Sequence, residues 1–191
     1  MLIENERPAI FFEAGQFRAV LENLPEYLKP VIQTHYITGW RIGPEILTRR
    51  KHHVDLELDK LRLDPEETVG GEGRSFPLTP ELREILAKQL ERTKELERET
   101  DRLVPWLFHP DGKPIRDFRK AWALACERGG VAGKTPSDFR QTAVRNLERA
   151  GVARQAAKAM VGHRSDSIYR RSPLADETML KESVAKLVAL H

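Results

Sequence analysis

The sequence predicts a mainly α-helical domain with a small three-stranded antiparallel β-sheet. Three observations lead there. Apolar residues recur at helical spacing through most of the chain. Residues 53–78 instead alternate apolar and charged side chains around a glycine-rich turn. Prolines and hydroxyls stand where helices should begin, and glycines where they should end. At 191 residues the chain can build one good core, read here as a single domain over residues 1–191.

Taken in order, EAGQFRAVLENL (13–24) spaces its apolar residues as a helix up to Pro25. PEYLKPVIQTHYI (25–37) follows, with Pro25 at its start, Gly39 at its end, and Pro30 marking a kink or a late start. GPEILTRR (43–50) reads as a short helix. HVDLELDKLRL (53–63) reads as a two-stranded ribbon, and GGEGRSFPLT (70–79) as a turn and third strand. Thr79 caps a long helix with Pro80 in its first turn. Leu82, Ile85, Leu86 and Leu90 share one face of it, while the polar tail from Glu91 should project into solvent. RLVPWLFHPDGKPI (102–115) is an apolar segment with a turn at Asp111-Gly112. RDFRKAWALACERGG (116–130) is a helix ended by glycines. Thr135, Pro136 and Asp138 form a helix start, and that helix runs to Gly151. ARQAAKAMVG (153–162) is a short helix ending at Gly162, and a last helix spans about 176–190.

Composition narrows the function classes. Hydrophobic residues at 40% and charged residues at 32% are the mix of a globular protein, not a disordered one. No apolar run approaches the roughly 20 residues of a membrane helix, and MLIENERPAIFF lacks the parts of a signal peptide. The single cysteine, Cys126, cannot form an internal disulfide; it is read as helix packing, and a reducing cytoplasm is expected. Net charge is only +3 but uneven. Between Asp111 and Arg171 there are 14 Lys and Arg against 6 Asp and Glu. Lys29 to His53 adds 5 basic residues against 1 acid, so the remainder of the chain is strongly acidic. One positive face that meets a polyanion, nucleic acid first, is the expectation.

Four motifs occur in order: TGWRIGPEIL, EGRSFPLTPELREIL, FRQTAVRNLERAG and MVGHRSDSIYRRS. Together they resemble the catalytic domain of the tyrosine recombinases, the phage-integrase family, over roughly residues 12–190. The resemblance implies a mostly helical domain with a three-stranded sheet at its edge. It implies cleavage and rejoining of double-stranded DNA through a phosphotyrosine bond, with no metal or nucleotide cofactor. No segment corresponds to that family's N-terminal DNA-clamping domain. The chemistry needs fixed positive charge where a phosphorane gathers negative charge. Two guanidiniums supply it in planar, bidentate form, and an imidazole donates a further hydrogen bond. By resemblance Arg41 and Arg140 are the two arginines and His163 the later histidine. Arg74, Lys134 and Arg164 are expected contacts to DNA.

Three positions depart from the family pattern. Ser137 stands where a histidine is expected three residues before Arg140, and Val69 stands at the sheet-turn lysine. Ser172 holds the place of the nucleophilic tyrosine, nine residues after His163. An aliphatic alcohol is a poorer nucleophile and leaving group than a phenol. The resemblance therefore implies a phosphate clamp without the acid, one donor and the nucleophile. Tyr169, one helical turn before Ser172, is the alternative attacking group, which makes an active recombinase or nicking enzyme the second reading. The third is a protein-interaction module, whose C-terminal helix ETMLKESVAKLVAL carries an apolar stripe suited to docking on another copy or on its own core. His35, His52 and His53 lack metal-ligand spacing, and the latter two read as a surface pair on a strand. Trp40, Trp106 and Trp122 read as packing residues.

Overall fold

A computed structural model describes residues 11–68, 71, 73–162 and 177–188, and within the last stretch the side chains of 181 and 184–188. Seven helices and three short strands follow one another in it: α1 (Ala14–Glu22), α2 (Lys29–Thr38), β1 (Val54–Asp55), β2 (Lys60–Leu63), β3 (Arg74–Pro77), α3 (Pro80–Thr100), α4 (Arg119–Arg128), α5 (Asp138–Arg149), α6 (Arg154–Val161) and α7 (Glu177–Val188). The chain is thus mainly helical with a three-stranded antiparallel sheet of order β1-β2-β3.

α2 lies at the centre, packed by α1, α3 and α5, because Val31, Ile32, His35 and Tyr36 bury around its circumference. It begins at Lys29 rather than at Pro25. Pro25 closes a tight turn by accepting from Leu28 N at 2.9 Å, and Pro30 takes the first helical turn, where a missing N–H costs nothing. Its end is Gly39, left-handed at φ 63°. A Cβ there would meet Ala143 Cβ at 2.7 Å and Val161 Cγ1 at 2.9 Å. Glycine is therefore what lets the end of α2 touch both α5 and α6.

β1 is only two residues long, shorter than the alternating pattern suggests. Asp55 Oδ1 accepts from Glu57 N and Leu58 N at 3.1 and 2.8 Å and turns the chain early. β2 keeps the expected alternation, with Leu61 opposite Phe76 and Leu63 opposite Arg74, whereas β3 ends in two successive buried residues. The first three of these side chains are buried, each worth about 1.5–3 kcal/mol of transfer free energy.

Thr79 caps α3 by accepting from Leu82 N at 3.0 Å. The tail of α3 does not simply project. Thr93 is buried and its hydroxyl bonds His109 Nε2 at 2.9 Å, while Glu97 takes Lys51 Nζ and Val104 N, both at 2.6 Å. Polar residues can face protein when the 102–115 segment returns over them, which hydropathy alone does not register. Residues Ile42–Ile46 form a single π-helical turn instead of an ordinary helix, with Ile46 N and Leu47 N reaching back five residues to Arg41 O and Ile42 O.

Phe139 anchors α5. Its ring meets Phe12, Phe17, Tyr36 and Trp122 edge-on at centroid distances of 4.6, 5.7, 5.4 and 5.5 Å. Trp40 and Trp122 are buried, as packing residues should be. Cys126 is buried too, and burial raises its thiol to about 11, an unreactive group. α7 packs on α5, α6 and β3 of its own chain and buries Val184 and Leu187 there.

Candidate functional site

Arg140 follows Phe139 in α5. One residue turns a helix by about 100°, so anchoring Phe139 inward directs Arg140 sideways, toward the ends of α2 and α6. There its Nη1 donates to Gly39 O at 3.0 Å and its Nη2 to Gly162 O at 2.5 Å. Two helix C-termini thus supply carbonyls, the negative ends of their dipoles, to one guanidinium. Ser137, exposed just before α5, makes no capping bond with its side chain; its carbonyl accepts from Arg140 N at 3.2 Å.

Arg41 lies two residues beyond Gly39. Its N–H donates to Glu45 Oε2 at 2.7 Å, and its Nη1 lies 3.4 Å from Glu45 Oε1. Arg140 Nη1 stands 4.0 Å from Glu45 Oε2. Arg74, at the start of β3, brings Nη2 to 2.6 Å from the same oxygen. That contact is ionic and out of line for a hydrogen bond, so Arg74 Nε and Nη2 are buried without an acceptor. Three arginines from three separate parts of the chain therefore surround one fully buried carboxylate. Burial, and next the positive charge of Arg41, push the Arg140 guanidinium down to about 10, which still leaves it charged at neutral pH.

The π-helical turn explains how Glu45 gets there. The wider turn in Arg41-Ile42-Gly43-Pro44-Glu45 lets Glu45 bond back onto Arg41 N and face the other two arginines. Glu45 escaped the sequence reading. A signal was present: it is the only acid among the residues from Lys29 to His53, and it lies four residues after Arg41.

Lys134 lies elsewhere. Its Nζ bonds Phe11 O and, at 3.1 Å, Gln16 Oε1, and it stands 4.5 Å from the Phe12 ring centroid. It pins the segment before α1 to α4's exit loop and is not presented as a free cation. Val69, His163, Arg164, Tyr169 and Ser172 lie outside the described residues.

The histidines correct one expectation. His52 and His53 sit on a 3-10 turn, Lys51–His53, with ring centroids 4.1 Å apart, and His53 is buried. With Asp64 they place ligand atoms within 4.8 Å of one another. The hydrogen bonding is nonetheless not that of a metal ligand. His53 Nδ1 accepts from Arg50 N at 3.0 Å and faces Arg49 Nη1 at 3.2 Å, so in the neutral ring the proton sits on Nε2, toward Asp64 and Glu67. No lone pair is left for an ion, and buried Arg49 adds positive charge. His35 is buried far along the chain, its Nε2 2.7 Å from Pro136 O. A groove of about 480 Å³, lined by Phe17, Tyr36, Asn146 and Leu187 among others, shares no residue with the arginine cluster.

The sequence matches the model of the phage integrase family over residues 11–172. The chain belongs to the phage integrase family. Its fold is shared by a lambda integrase(75-356) dimer bound to a COC' core site, at TM-score 0.62 and 15% identity, covering 85% of this chain and 60% of that one. XerA recombinase aligns at TM-score 0.67 and 18% identity over 92% of this chain and 64% of its own. The integrase from mycobacterium phage Brujita aligns at 0.61 and 18% over 95% and 60%. This integrase-family chain thus spans about three-fifths of the length of those structures. No curated protein matches the sequence. Among the described residues, no helix of this integrase-family chain is long and apolar enough to cross a membrane.

Proposed function

We propose that this tyrosine-recombinase-like domain binds duplex DNA, holds one backbone phosphate between Arg41 and Arg140, and is impaired in strand cleavage. The carrying observation is the meeting of these two part-buried side chains at Glu45, by the ends of α2 and α6. Guanidiniums so fixed can grip phosphate oxygens without reorganising. His163, the residue after Gly162 in the sequence, is the further donor in this reading. The lambda integrase dimer bound to a COC' core site, which shares the fold, supports duplex DNA as partner in this reading. Impairment is read from Ser137, Val69 and Ser172, which replace a donor, the general acid and the phenol. Residues 1–191 act as one catalytic-domain-like unit in this reading. The seating of α7 on its own core means that assembly through that helix requires its release.

The test is fluorescence anisotropy of the 191-residue chain on labelled duplex DNA across a salt series, with Arg41→Ala and Arg140→Ala. Binding should fall steeply with salt, and each variant should weaken it about tenfold or more. Unchanged affinity in both variants defeats the reading. A nicked suicide duplex separates the cleavage readings: no covalent adduct is expected, whereas an adduct abolished by Tyr169→Phe establishes an active enzyme.

A further inference from the structure

We propose that Arg74 is a third ligand of the bound phosphate, forming one anion cradle with Arg41 and Arg140 rather than touching DNA elsewhere along the duplex. The inference rests on the phosphate-binding reading above and deepens it.

Arg74 is placed by three unrelated contacts. Register sets it opposite Leu63 at the start of β3. Its guanidinium carbon lies 5.4 Å from the Trp40 ring centroid, and the indole is itself fixed by donating to Met160 O at 2.9 Å. The far end of the side chain then lies on Gly162. A Cβ at that residue would fall 2.4 Å from Arg74 Cζ, so the guanidinium lies directly against the glycine. Gly162 is also the residue whose carbonyl holds Arg140. The same backbone unit therefore receives both guanidiniums.

Charge and hydrogen bonding then point to a missing anion. Among the described residues, Glu45 is the one carboxylate within 4.0 Å of Arg41, Arg74 or Arg140. Three cations against one anion leave the cluster with an excess of positive charge in a part-buried setting, an arrangement that a fold does not maintain cheaply. Arg74 Nε is a buried donor with no hydrogen-bond partner, and Nη2 meets only the ion-pair contact with Glu45, although such groups are almost always satisfied. An anion bridging Arg41, Arg74 and Arg140 would balance the charge and occupy those donors together. The ligand chemistry is a tetrahedral oxyanion, here a DNA phosphodiester, since planar guanidiniums each engage two oxygens. Arg74 also bears on the missing lysine. Its charge can stabilise a bound phosphate, but so basic a group does not give up a proton to a leaving oxygen. The cradle is therefore suited to holding phosphate more than to turning it over.

Inorganic phosphate, titrated into the full chain at constant ionic strength and followed by 31P NMR, tests this. Arg74→Met keeps an unbranched stem but removes the guanidinium that lies on Trp40 and Gly162, and with it the charge. It should weaken phosphate binding about tenfold or more, with Arg74→Lys recovering part of the loss. Arg83→Ala, which removes an exposed arginine paired with Asp59, should leave binding unchanged. Should the methionine variant fail to fold, the Nε–H resonance of Arg74 in the unaltered protein decides: phosphate must shift it. Wild-type affinity in a folded Arg74→Met, or an unmoved Nε–H at saturating phosphate, overturns the proposal. If Arg140→Ala still weakens binding in that case, the two-arginine clamp survives alone. If neither Arg140→Ala nor Arg74→Met changes phosphate affinity, both readings fall.

Discussion

Arg140 donates from Nη2 to the carbonyl of Gly162 at 2.5 Å, tying the first turn of α5 to the residue on which α6 ends. The bond spans 22 positions and reaches the backbone immediately before His163. With the second bond, to Gly39 O, it makes Arg140 a clasp between three helices as well as a charge.

Arg140→Lys should separate those two roles. An ammonium keeps the charge but cannot span Gly39 O and Gly162 O while also facing an anion. We expect a stability loss of about 1–2 kcal/mol in urea denaturation and roughly tenfold weaker duplex binding by anisotropy. Equal affinity and stability in the lysine variant would remove the geometric role.

Glu45→Gln should leave three guanidiniums without their shared counter-charge. Removing one partner of a buried ion cluster costs on the order of 3 kcal/mol. The diagnostic sign is in the salt response. Phosphate should raise the variant's melting temperature more than the wild type's, because the anion replaces the lost carboxylate. Calorimetry with chloride held constant reads it directly.

Gly39→Ala tests the α2 terminus. The backbone there is left-handed and an added Cβ meets Ala143 Cβ at 2.7 Å. Backbone strain of about 1 kcal/mol adds to overpacking of about 1–3 kcal/mol, so a loss of about 2–4 kcal/mol is expected from denaturant midpoints. Gly43→Ala, with nothing within 4 Å of the added carbon, should be nearly silent by comparison.

His35 sets a pH dependence. Burial, the largest cause, drops its folded pKa to about 4 from an ordinary 6.5. Between those values the unfolded chain binds more protons than the folded one, so stability rises with pH across that window. The stability is fully present above pH 6.5 and is lost as pH falls toward 4, by about 3 kcal/mol for this one group. His53, also held at about 4 by burial and then by Arg49, titrates in the same direction. His35→Gln should flatten the pH profile of the unfolding midpoint, and an unchanged slope would assign the acid limb to other groups.

Much of the fold was legible in the chain because its signals are local. Thr79-Pro80 marks a helix start wherever it sits, and Gly162 marks an end. Leu61, Leu63 and Phe76 alternate on one face of the sheet regardless of what covers it. The misread stretches are those in which distant residues decide. The tail of α3 looks solvated until His109 and Lys51 are folded onto it. His52 and His53 look like a surface pair until Asp64 and Glu67 come up to Nε2 of His53. Lys134 looks like a free basic side chain until Phe11 and Gln16 occupy it.

By itself, then, the amino-acid order determined the helical class, the small sheet and the family, since each rests on short-range periodicity or a compact motif. Tertiary structure alone decided that Arg41, Arg74 and Arg140 share Glu45. The reason is physical: a buried charge takes its meaning from whatever lies within about 4 Å of it, and neither a π-helical turn nor the emptiness beside a glycine is written in the spacing of side chains along the chain.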